Sequence, residues 1–178
     1  EIYEILKMCI FERNSSNLLD YLFANKNLSF KIDVNIFLNK SINDTVSLEE
    51  VIQTIGDHLI IDFYELDNSK YGLLIIKKGK YSKYVVGYED IINGSFIDNE
   101  DIKRFIGSFD DYDHVYICPD GKIYDLSFER ILRSLNISYL SSVQTLFQKN
   151  DDGNTHKLIS FVSPDFSGKL SDDTDRGD

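Results

Sequence analysis

Two nearly unbroken β-prone runs constrain this chain more than any other feature. Leu59-Ile60-Ile61-Asp62-Phe63-Tyr64 and Tyr71-Gly72-Leu73-Leu74-Ile75-Ile76 stand either side of the turn-like Asp67-Asn68-Ser69. Asp and Asn side chains bond to backbone a residue or two ahead, so such a segment reverses the chain and the two runs read as a hairpin. A third run, Tyr81 to Val86, is set off by Lys78-Gly79-Lys80 and extends the meander. The fold is therefore expected to be built around a sheet.

Helical patterns surround these runs. Ser47-Leu48-Glu49-Glu50 fits a capping box, in which the Ser47 hydroxyl faces the Glu50 amide and Glu50 reaches back. The helix it opens carries Leu48, Val51, Ile52 and Ile55 on one face and stops at Gly56-Asp57. Asn99 to Phe109 is a second helix, with Ile102, Phe105 and Ile106 facing inward. His114 to Cys118 reads as a short strand ending at Pro119-Asp120-Gly121, where Pro presets φ and Gly accepts positive φ. Ser127 to Leu135 is then a helix, Ile137 to Leu140 a strand, Ser141 to Lys149 another helix, and Leu158 to Val162 a last strand closed by Ser163-Pro164. This alternation predicts a parallel sheet flanked by helices. The fold class is α/β, a mixed sheet with a parallel core and an antiparallel hairpin extension.

Upstream of this domain, Ile2, Ile5, Leu6, Cys9 and Ile10 recur at helical spacing, with Glu4 and Lys7 expected outside. Ser15, Ser16 and Asn17 offer a cap before Leu18, Leu19, Tyr21, Leu22 and Phe23, a second short helix. The pair reads as a helical hairpin, either a decoration of the domain or the tail of a helical repeat array, and one pair defines no period. Residues 25 to 46 are polar apart from the alternating Ile32, Val34, Ile36 and Leu38, a weak strand signal. The expected organisation is a helical segment over 1–45, the main domain over 46–168 and an acidic loop or tail over 169–178. Glu1 falls within a helical pattern, and the chain reads as a piece of a longer protein.

A chain of 178 residues, 42% hydrophobic with 11 Tyr and 12 Phe, has the material for a core without metal or disulfide support. That excludes disorder of the whole chain. A net charge of −11 argues against a nucleic-acid binder that grips phosphates, because counterion release needs clustered Lys and Arg. Cys9 and Cys118 lie far apart in apolar surroundings and are expected to be reduced, buried thiols. With no apolar run near ~18 residues and no signal peptide, a cytoplasmic protein that does not engage a membrane is expected.

No side chains here assemble into catalytic chemistry. His114 and Cys118 share a strand face but stand about 13 Å apart along it, against the roughly 3 Å that a nucleophile and its base require. His58 opens a strand and His156 sits among polar residues, so both read as surface histidines. Ligands are too sparse for a metal cluster, and Gly87, Gly94 and Gly107 lie too far apart for a phosphate loop. Glu49-Glu50 and Asp110-Asp111 read as solvated faces. No catalytic, metal-binding or cofactor-binding residue is assigned, and no cofactor is expected.

The stretch from Val115 to Leu132, with its Pro119-Asp120-Gly121 turn, apolar Ile123 and helix start at Phe128-Glu129, resembles the signature of CHAT domains. These are caspase-like cysteine peptidases of the caspase/separase clan. In that family a hydrophobic strand runs into Pro-Asp-Gly and then into a Pro-Phe-Glu-like helix start. Ser127 stands where Pro is usual, a mild departure because Ser suits an N-cap much as Pro suits the first helical position. Ser47 to Tyr64 resembles the family's entry helix and first strand, and Leu73 to Lys78 its second strand. Phe161-Val162-Ser163-Pro164-Asp165-Phe166 resembles a strand ending in a Pro-Asp-aromatic loop. The likeness covers about residues 46 to 168. It implies a partial three-layer caspase-like sandwich, in which Pro119, Asp120, Gly121, Phe128, Glu129, Pro164 and Asp165 are structural rather than chemical.

The resemblance further implies the N-terminal portion of a cysteine endopeptidase that cuts a partner protein. The catalytic His and Cys of the family fall downstream of its Pro-Asp-aromatic loop, and nothing in this chain matches either segment. Family members are often joined to tetratricopeptide (TPR) or other sensor modules, and some act in bacterial defence. The partners implied are the rest of the same domain, a protein substrate and a helical-repeat sensor or regulator. Two other readings stay open: a catalytically inactive CHAT-like interaction scaffold, and an unrelated α/β regulatory domain. The acidic end reads as a loop awaiting the next helix; alternatively, Arg176-Gly177 would suit processing by a basic-specific peptidase of this clan.

Overall fold

The computed structural model describes residues 2–11, 19, 22, 23, 26, 46–132 and 136–147. Five strands form one sheet in the order β3-β2-β1-β4-β5. They are β1 (His58–Glu65), β2 (Lys70–Lys77), β3 (Lys80–Gly87), β4 (His114–Cys118) and β5 (Ile137–Tyr139). β1, β2 and β3 form the antiparallel meander read from the sequence. β4 pairs parallel to β1, with Asp62 opposite Cys118, and β5 pairs parallel to β4. The chain is thus α/β with a mixed sheet.

Local chemistry accounts for these elements. At the β1–β2 turn the Asp67 carboxylate accepts from the Ser69 and Lys70 amides at 2.7 and 2.9 Å and from the Ser69 hydroxyl, which folds the backbone back on itself. Helix α2 (Leu48–Thr54) starts on the expected capping box: Ser47 Oγ accepts from the Glu50 amide, and the Ser47 amide donates to Glu50 Oε2 at 2.9 Å. Gly72, in the middle of β2, has a reason to be glycine, because a Cβ there would stand 2.4 Å from the Phe11 ring.

Alternate side chains of the strands enter two separate cores. On one face Leu59, Ile61, Phe63, Tyr71, Leu73, Ile75, Val115 and Ile117 meet Ile91 of α3 (Tyr88–Asn93), Ile102 and Ile106 of α4 (Glu100–Ile106), and Phe128 and Leu132 of α5 (Phe128–Leu132). On the other face Ile60, Tyr64, Leu74, Ile76, Tyr116 and Cys118 meet Ile10 and Phe11 of α1 (Ile2–Phe11), the helical residues Leu19, Leu22 and Phe23, and α2.

Several expectations are corrected. Lys7, expected outside α1, is 4% exposed, whereas Ile5 is 61% exposed. The helix is turned so that Lys7, Ile10 and Phe11 face the sheet, because Lys7 can lay its aliphatic stem on apolar surface and deliver its ammonium to the Glu65 carbonyl. Cys9 is half-buried rather than buried. The stretch expected as a helix from Ser141 is a 3-10 turn over Val143–Phe147. α3 was not expected; its Tyr88-Glu89-Asp90 start lacks a side-chain cap acceptor at Gly87 but closes through Asp90 Oδ2, which accepts from the Gly87 amide at 3.2 Å. The strand expected at 158–162, the weak strand at 32–38, and Pro164, Asp165, His156, Arg176 and Gly177 lie outside the described residues.

Candidate functional site at the strand ends

β1 and β4 run in the same direction, so their C-terminal ends lie together, and ligands of open parallel α/β sheets bind at such ends. Of the residues singled out from the sequence, the described ones follow from this end: Pro119, Asp120 and Gly121 come directly after β4, and Phe128 and Glu129 open α5. β4 ends at Cys118, and the Asp120 carboxylate reaches across to accept from the Glu65 amide at 2.9 Å, joining the turn to the last residue of β1. After an extended Asp120, Gly121 adopts φ +57°, the left-handed region that disfavours any side chain, and opens a 3-10 helix over Gly121–Asp125. The Glu65 charge and, before it, burial push the Tyr71 phenol up to about 12.

The helix start that follows is built by a small relay. The Tyr139 hydroxyl accepts from the Phe128 amide at 2.7 Å and donates to Glu129 Oε2 at 2.6 Å, while Ser127 Oγ donates to the same carboxylate oxygen at 3.0 Å. Burial opposes ionisation of Glu129, but these donors outweigh it and hold its carboxyl below the ordinary range. Phe128 is fully buried, its ring centroid 5.3 Å from that of Phe63. Phe128 and Glu129 therefore fasten α5 to the sheet.

Beside the turn lies an ion pair that sequence reasoning missed. Asp62, in the middle of β1, is 1% exposed and bonded to the Lys26 ammonium, itself 2% exposed. Lys26 Nζ also donates to the carbonyls of Phe63 at 2.6 Å and Cys118 at 3.0 Å, and sits 4.6 Å from the Tyr64 ring centroid. The Tyr64 hydroxyl donates to the second Asp62 oxygen at 2.7 Å. Burial on its own would lower the Lys26 pKa, but Asp62, with smaller help from Cys118 and Asp120, outweighs it and holds the group above the ordinary lysine value. Burial raises the Asp62 carboxyl while Lys26 and the Tyr64 hydroxyl pull it down; with an ammonium and a phenol both aimed at the carboxylate, the ionised pair is the state the geometry supports. The one signal available in the sequence is Asp62 itself, a lone carboxylate inside an apolar run, which requires a buried partner.

Cys118 and His114 do not form a dyad. Burial, reinforced by the Asp62 charge, pushes the Cys118 thiol well above its usual pKa, and a nucleophile needs the thiolate. His114 lies at the opposite end of β4, with Nε2 2.8 Å from Ser138 Oγ and its ring 4.7 Å from that of Tyr116. His58 opens β1 as expected, edge-on to His114 at 6.4 Å. Among the described residues no three His, Cys, Asp or Glu side chains are grouped to hold a metal ion, and no helix is long and apolar enough to cross a membrane. The arrangement is structural: it binds strand ends, a turn and a helix start to one another. Comparison of the chain with family models, curated proteins and solved structures finds no match.

Proposed function

We propose that this chain is the N-terminal portion of a CHAT-type, caspase-like cysteine endopeptidase that cleaves a partner protein. One observation carries the reading. A strand parallel to β1 runs into Pro119-Asp120-Gly121, and the chain then passes through Phe128-Glu129 into a helix packed on the same sheet, beside an antiparallel hairpin. That order and placement are what the resemblance leads one to expect of its signature. In this reading the described residues supply the wall of the catalytic domain rather than its chemistry. Cys118 is unsuited to nucleophilic attack by its burial and its raised pKa.

The test is to treat the parent protein with a peptidyl electrophile that traps cysteine nucleophiles, then map the modified residue by peptide mass. A label on a single cysteine other than Cys9 and Cys118, abolished by its substitution with Ala, is the expected result. A label on Cys9 or Cys118 contradicts the placement of catalysis. The absence of any label favours the non-catalytic scaffold.

A further inference from the structure

Two ammonium groups, on Lys7 and Lys26, are buried against the sheet, and both end at the same place. Lys7 donates to the Glu65 carbonyl, and the amide of that residue is held by Asp120. Lys26 reaches Asp62 and the carbonyls of Phe63 and Cys118, the last immediately before Pro119. The Pro119-Asp120-Gly121 turn is thus gripped from both sides, through Glu65 on β1 and through Cys118 on β4. Packing alone does not require this, because the opposite face of the sheet is sealed by apolar side chains. An ammonium withdrawn from groups this buried leaves carbonyls, or a carboxylate that keeps the Tyr64 hydroxyl, short of a charged donor, so withdrawal is costly.

We infer that Lys7 and Lys26 form a clasp that couples the N-terminal helical residues to the Pro119-Asp120-Gly121 turn, so that drawing these lysines away frees the turn and the strand ends it closes. Whatever displaces Lys7 of α1 then acts, through Glu65, on the end of the parallel sheet where α/β domains place their sites. The inference stands apart from the peptidase reading, and its test uses no activity.

Amide hydrogen exchange would be followed in the full chain and in two variants, Lys26→Met and Lys26→Met/Asp62→Leu. The double variant leaves no uncompensated charge, so it carries the test if the single variant fails to fold. Both lack the donor to the Cys118 carbonyl. The expected result is exchange about tenfold faster at residues 120–126, with the β2–β3 hairpin unchanged, since local opening frees local amides only. Acceleration at 120–126 of less than about threefold overturns the clasp, as does an equal acceleration in the hairpin.

Discussion

Leu59, Ile61 and Phe63 of β1 enter a layer whose buried side chains are apolar or aromatic and whose helical cover comes from residues 88–132, whereas the alternate residues Ile60, Asp62 and Tyr64 enter one that contains a buried carboxylate. The first face is covered by elements that follow the meander directly in sequence. The second is covered from both directions, by α1, Leu19, Leu22, Phe23 and α2 on one side and by Leu140 and Val143 on the other. The difference teaches what the ion pair is for. A buried pair adds little stability over a well-packed apolar replacement, but it punishes any arrangement in which only one partner is present. Cover that must arrive from far along the chain gains most from such a device, since apolar packing accepts many near-equivalent placements.

The largest effect expected from a single truncation lies on the apolar face. Phe128→Ala removes a fully buried ring packed against Phe63 and should cost about 3–5 kcal/mol in urea unfolding. A value near 1 kcal/mol would mean that this face is less tightly packed than the other. Gly72→Ala probes the opposite face, where the new methyl would press on the Phe11 ring, and a cost of about 1–3 kcal/mol is expected. Combined with Phe11→Ala, which removes the clash, the same substitution should become close to neutral. Gly121→Ala places a side chain at φ +57° and should cost about 1–2 kcal/mol, whichever face dominates stability.

The smallest effect is a slope with pH. Burial, with His58 adding to it, lowers the His114 pKa from 6.5, so the unfolded chain binds this proton first as pH falls. The contribution of His114 is therefore intact above about pH 6.5 and is lost as the pH drops from there through the folded pKa. His114→Gln should flatten the fall in stability over that window. An unchanged slope would show that His114 titrates alike in both states.

Much of the sheet was legible because its signals are local. The Asp67 turn and the Ser47 capping box act within a few residues of themselves. The parallel pairing of β4 with β5 followed from the intervening helix. The orientation of α1 was not legible, since Ile2, Ile5, Leu6, Cys9 and Ile10 define an apolar face only if a lysine is assumed to seek water. Lys7 and Lys26 take their meaning from Glu65 and Asp62, 58 and 36 residues away, and no local pattern records that. The final 3-10 turn was read as α-helix because Val143, Leu146 and Phe147 satisfy either spacing. Asp120 accepts from the Glu65 amide and Glu129 from the Tyr139 hydroxyl, contacts that no local pattern records.

The contrast between the faces rests on Lys26 and Asp62 meeting away from water, and a double-mutant cycle measures that directly. Lys26→Met and Asp62→Leu should each cost about 3–5 kcal/mol in urea unfolding, while the combined variant returns to within about 1 kcal/mol of the parent chain. Single costs below about 1 kcal/mol that simply add would place the two groups in solvent and contradict the account.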